Sequence, residues 1–300
     1  MESEVQTSSE QNQEEKQFSR IKLMIRSILK SPTGLAGLII FVTMILIAIF
    51  ADFLAPHDPI EIQLAERLIP PVWQEGGNSS YILGTDSLGR DILSRIIVGS
   101  RVSLVVGILS VVVAGVIGLI IGLTSGYFGG VIDNILMRIV DSFLSIPSIL
   151  FVLVLLAVFK PSIIGLIIVI GITNWVTYAR MVRGEVLSVK ERDFVKAARS
   201  IGTKDRVIII KHILPNVMPS FIVISALSIA TTILLESSLS FLGLGIQPPD
   251  ISWGAMLTDG RDYMATNWWL STFPGIAITI TVLGIIFLGD WLRDVLDPRS

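Results

Sequence analysis

Residues 194–216 read FVKAARSIGTKDRVIIIKHILPN. The stretch is basic, is broken by Gly202 and ends in Leu214–Pro215–Asn216, yet it lies in a chain that is 52% hydrophobic. On either side are apolar runs near Ile163–Ala179 and Val217–Leu242. At 1.5 Å per residue the second is long enough for about 30 Å of hydrocarbon and the first only barely. Lys196, Arg199, Lys204, Arg206 and Lys211 cannot share that environment, so the stretch is a loop on one side of a membrane.

The same reasoning gives four more spans, near Gly34–Leu54, Arg101–Leu123, Ile135–Phe159 and Thr272–Asp290. Mean hydropathy of +0.74 and a charged fraction of only 16% agree. The predicted fold is an all-α polytopic membrane protein with six transmembrane helices. It divides into a polar tail (1–33), a first span (34–54), a long loop (55–100), a five-span core (101–293) and a short tail (294–300). The first 15 residues are polar and acidic, so the first apolar run starts too far from Met1 for a secretory signal and reads as a retained span. With the N-terminus inside, the inner connections hold sixteen Lys and Arg and the outer ones five. By the positive-inside rule both termini, and the quoted loop, are cytoplasmic.

Within the outer loop, Leu88, Ile92, Leu93 and Ile96 fall on one helical face, with Arg90, Asp91, Ser94 and Arg95 elsewhere. That spacing predicts an amphipathic helix lying at the interface before span two. Gly118, Gly122 and Gly126 recur every four residues in span two and allow close helix approach, within the chain or against a second one. Pro147 predicts a kink in span three. Glu236, in the outer half of span five, is the ionisable group most deeply placed in the bilayer; it either lines a path or makes a buried polar contact, with an arginine as one possible partner. Asp141 and Arg138 near the inner end of span three are secondary candidates of the same kind, and Asp52 and Asp290 are interface anchors or gating contacts.

The loop itself predicts a helix over Asp193–Ile201, stopped by Gly202 in a left-handed turn. Thr203 then caps a second helix with Asp205 in its first turn, which ends at Leu214–Pro215. This order of residues resembles the cytoplasmic signature of ABC-importer permeases: E-A-A, three residues, G, nine residues, I-x-L-P. Lys196–Ala197–Ala198 stands for E-A-A, Gly202 for G and Leu214–Pro215 for L-P, while Lys196 replaces the Glu and His212 the Ile. The stretches LGTDSLGRDILSRIIVGSRVSL (83–104), GYFGGVIDNILMRIVDSFLSIPSIL (126–150), YARMVRGEVLSV (178–189), ESSLSFLGLGIQPPDISWGAML (236–257), FPGIAI (273–278) and LGDWLRDVLDPR (288–299) resemble the C-type permease of dipeptide, oligopeptide and nickel importers.

The resemblance implies a non-catalytic subunit in a bacterial inner membrane. It pairs with a B-type permease, two cytoplasmic ABC ATPase subunits and an external peptide-binding protein. Lys196, Ala197, Ala198, Gly202, Asp205, His212, Leu214 and Pro215 would form the coupling helix and its supports on the ATPase. Membrane lipid is the remaining partner, and no nucleic acid is expected. No G-x-x-x-x-G-K-[ST] occurs, so ATP and Mg would be bound by partner subunits, with no cofactor on this chain. With no Cys and two His on opposite sides, a metal site is not expected. An ion-coupled carrier is the competing class; it would have only Glu236 to exchange protons and lacks paired broken helices in matching halves. An intramembrane hydrolase would lack a membrane-depth base.

Overall fold

The computed structural model describes residues 27–158 and 162–296; most of the predicted N-terminal tail, the link between spans three and four, and the last four residues lie outside them. Among the described residues, the nine helices of eight residues or more are α1 (Pro32–Ile49), α2 (Ile92–Phe128), α3 (Gly130–Leu144), α4 (Ser148–Val158), α5 (Ile163–Val189), α6 (Asp193–Ser200), α7 (Leu214–Phe241), α8 (Trp253–Gly260) and α9 (Trp269–Leu296). There is no β-strand among the described residues. Serine caps start three of the helices: Ser31, Ser162 and Ser252 accept from the backbone N–H of Gly34, Gly165 and Ala255.

Among the described residues, five helices are long and apolar enough to cross a membrane: α1, α2, α5, α9 and the continuous helix running from Asp205 through α7. The sixth expected span is not one helix. α3 and α4 meet at 85°, so Ile135–Phe159 is a broken span at most. The break falls at Pro147, which has no N–H for the α ladder and whose ring collides with the preceding turn.

The separate interfacial helix before span two is also corrected. From Ile92 the backbone is already α2, a single helix of 37 residues. Arg95 is buried rather than on a wet face, because two carboxylates meet it. Asp86 accepts from Arg95 Nη1 and from Arg90 Nε at 2.7 Å. Asp259, at the end of α8, accepts from Arg95 Nη2 at 3.0 Å and Arg90 Nη2 at 3.2 Å. Asp91 caps α2 through Ser94 N at 3.0 Å, and Trp253 Nε1 donates to the Ile96 carbonyl at 2.9 Å. The loops before α2 and after α7 thus close over one end of the bundle, above a core that includes Ile92, Leu104, Trp253, Met256, Trp269 and Ile285.

The glycine series of α2 is used inside the chain. A Cβ at Gly118 would lie 2.3 Å from Tyr178 Cβ and 2.7 Å from the Trp175 carbonyl; at Gly122 and Gly126 it would meet Val182 and Val186. α2 and α5 therefore lie backbone to backbone. Lipid offers no hydrophobic drive to associate, so such close packing is what holds helices together. Gly37 and Gly284 do the same for α1 against α9.

Candidate functional site

α5 runs ten residues past the expected span and delivers the chain to the loop at Lys190. Asp193 sits in the first turn of α6, where a carboxylate suits the helix dipole. Val195 and Ala198 point inward onto Val186, Val189, Ile208 and Ile213. The adjoining face presents Phe194, Ala197 and Ile201, one helical stripe, to the outside; Ile201 is 82% exposed. The paired alanines therefore split: Ala198 anchors and Ala197 faces out. Lys196 is exposed and pairs with Glu191 at 3.1 Å.

α6 stops as expected. Gly202 has φ +77, Gly202 N donates to the Arg199 carbonyl at 3.0 Å and Thr203 N to the Ala198 carbonyl at 3.1 Å. Those two bonds are the Schellman pair, and the left-handed residue between them favours glycine. Thr203 does not cap the next helix; Lys204 holds the N-cap position without a side-chain bond. After one turn at Asp205–Val207 comes a π-helix, Ile208–Ile213, that flows directly into α7. Pro215 therefore does not end a helix. In α register its ring would strike the Lys211 carbonyl and its missing N–H would leave that carbonyl unpaired. The wider π turn, closed by Leu214 N to the Ile209 carbonyl, brings the chain past that point. His212 lies with its ring centroid 6.4 Å from that of Phe194, and Leu214 is half-buried.

The loop rests on a polar cluster that sequence reasoning missed, apart from Asp205. Tyr127, in the last turn of α2, donates its hydroxyl to Asp205, and the Arg199 guanidinium lies over its ring at 5.4 Å. Asp133 of α3 accepts from Arg183 Nε at 2.6 Å and Nη2 at 2.7 Å, a two-pronged bond, and from Ser125. Lys190 Nζ donates to the Gly126 carbonyl at 2.9 Å. The available signal was Asp133 and Arg183, opposite charges in otherwise apolar helical frames; nothing in the pattern singles out Tyr127.

The other candidates lie apart from the loop. Glu236 is fully buried, and its partners are serines rather than an arginine: Ser240 at 2.8 Å, Ser252 at 2.9 Å and Ser237 at 3.4 Å. Ser240 Oγ also accepts from Ile246 N, and Ser252 Oγ from Ala255 N. One carboxylate thus fastens the 242–252 loop and the start of α8 to α7. Arg138 and Asp141 are exposed on α3, and Arg138 borders an open groove with Val131, Ile135 and Ser142. Neither hydrogen-bonds to Glu236.

Comparison with known proteins places this architecture. Residues 116–300 match the family described as the binding-protein-dependent transport system inner membrane component. The chain belongs to that permease family. Residues 19–71 match the N-terminal transmembrane domain of oligopeptide transport permease C. The permease is 46% identical over 266 residues to the dipeptide transport system permease protein DppC of Escherichia coli (strain K12), covering 89% of each chain. It is 39% identical over 281 residues to the di/tripeptide transport system permease protein DppC of Pseudomonas aeruginosa (strain UCBPP-PA14), covering 94% of this chain and 93% of that one. Among solved structures, an inward-facing MetNI methionine ABC transporter matches with a TM-score of 0.56 at 20% identity, over 67% of this chain and 96% of that chain. At that identity the likeness speaks for the fold. The protein is thus a multi-pass membrane permease of a binding-protein-dependent transport system.

Proposed function

We propose that this permease forms half of the translocation path of an ATP-driven importer of short peptides, and that α6 is where ATPase motion enters it. The observation that carries the reading is the exposed Phe194–Ala197–Ile201 stripe, ended by the Gly202 turn and seated on a dense apolar base of Val195, Ala198, Ile208 and Ile213. A small residue in the middle of such a stripe lets a partner backbone come close, and the rigid base keeps the helix from yielding when pushed. Peptide cargo is supported by relatives whose names specify di- and tripeptides.

The complex comprises this chain, a B-type permease, two ATPases that bind ATP and Mg, and an external binding protein. This chain carries no cofactor and no catalysis. Both termini face the cytoplasm of a bacterial inner membrane, an orientation supported by the distribution of basic residues. Lys196, Gly202, His212 and Pro215 shape or border the docking helix, and Ala198, Asp205 and Leu214 support it. Glu236 holds the bundle together rather than lining the path.

The test is uptake of a labelled dipeptide, a labelled pentapeptide and nickel in cells lacking the gene and complemented by wild type or Gly202→Glu. Loss of peptide uptake on deletion, restored by wild type but not by the variant at equal membrane abundance, is the expected result. Normal uptake with Gly202→Glu overturns the coupling assignment; loss of nickel alone overturns the cargo.

A further inference from the structure

Three successive residues at the end of α2 receive three different parts of the chain. Ser125 is bonded by Asp133 at the start of α3. The Gly126 carbonyl accepts from Lys190 at the end of α5. Tyr127 donates to Asp205 in the loop and lies under Arg199 of α6. The Gly126 carbonyl is among those a helix end leaves without an intrahelical partner, and a lysine there also suits the negative end of the dipole. Just beyond, Gly129 and Gly130 have φ +66 and +57 with open space around both, so α3 leaves α2 through a joint that only glycine accommodates without strain.

We propose that Tyr127 is a positioning residue for energy coupling. It delivers displacement of the α6 loop to α2, and through the Ser125–Asp133 bond to α3, in addition to the two spans that continue the loop. This rests on α6 being the coupling helix. The reasoning is mechanical. The loop is covalently continuous with α5 and α7; it also meets α2 at two polar points, Lys190 on the Gly126 carbonyl at its very start and Tyr127 on Asp205 and Arg199 beneath α6. Tyr127 is 5% exposed, so its ring is fixed in the apolar base, while Asp205 is exposed and the bond lies at the edge of that base. A charge-assisted hydrogen bond of this kind resists separation far better than apolar contact, which lets surfaces slide.

The complete transporter in proteoliposomes, with binding protein and ATPases, reports peptide imported and ATP hydrolysed. Tyr127→Phe keeps the ring under Arg199 and removes only the hydroxyl; it is expected to raise ATP consumed per peptide about tenfold, the equilibrium worth of one hydrogen bond to a charge. Asp205→Ala should do the same, while Asp205→Asn, which keeps an acceptor, should stay near the wild-type ratio. The double variant Tyr127→Phe with Asp205→Ala should be no worse than either alone. A wild-type ratio in Tyr127→Phe, or uptake and hydrolysis falling in equal proportion, overturns the proposal. Ala197→Arg is the independent control: if it leaves uptake intact, the coupling reading of α6 itself falls, whatever Tyr127 does.

Discussion

Replacing Gly118 by alanine adds one methyl where the structure has no room for it. The new Cβ would sit 2.3 Å from Tyr178 Cβ, 2.7 Å from the Trp175 carbonyl oxygen and 2.8 Å from Ala179 N. Two of these atoms are backbone and the third is fixed to it, so no rotamer change relieves the clash; α2 and α5 must move apart. Overpacking of this kind costs about 1–3 kcal/mol. Against it stands the better helix propensity of alanine, about 1 kcal/mol. Gly184 isolates that second effect: it is also within α5, has no positive φ, and a Cβ there meets nothing within 4 Å. Gly184→Ala is therefore expected to be neutral or stabilising by up to about 1 kcal/mol. Gly118→Ala should fall below it by about 1–3 kcal/mol, the clash alone. The assay is unfolding of the purified transporter in mixed micelles of rising SDS fraction, read by tryptophan fluorescence. Equal midpoints for the two variants would refute the backbone-to-backbone α2–α5 contact.

Glu236→Leu leaves the Ser240 and Ser252 hydroxyls without their buried acceptor, at about 1–3 kcal/mol for each group left unpaired, and should expose the 242–252 loop to protease; Glu236→Gln keeps an acceptor oxygen and should be much milder. If Gln is as damaging as Leu, the serine cradle is not what the carboxylate is for. Arg95→Met strands the buried Asp86 carboxylate, with Arg90 still beside it, and is expected to cost towards the lower end of about 3–5 kcal/mol; Asp259→Asn, at a 39% exposed carboxylate, should cost under about 1 kcal/mol. Thermal midpoints in the reverse order would refute the clasp as drawn.

Which features were legible in the sequence depends on the kind of energy involved. Transfer of a residue between water and hydrocarbon belongs to that residue alone, so apolar run lengths announced the spans and the basic loop between two of them. Gly202 was legible for a similar reason: a left-handed backbone position is a local demand that glycine meets by itself. Pair energies are different. Arg95 looked like a surface residue because its cost of burial is large, and what offsets it is Asp86 nearby together with Asp259, 164 residues further along the chain. The glycine series announced a close approach but not the neighbour, since Tyr178 and Val182 become neighbours only once α5 is in place. Pro147 announced a break but not an 85° bend, which depends on residues 145–147 leaving the helix together. Tyr127 is the limiting case. A tyrosine near a helix end is commonplace by itself, and its role exists only through Asp205 and Arg199. The residues that carry a push between helices are therefore the ones a single sequence hides most completely: transmission is a property of pairs, and each member taken alone looks like ordinary structure.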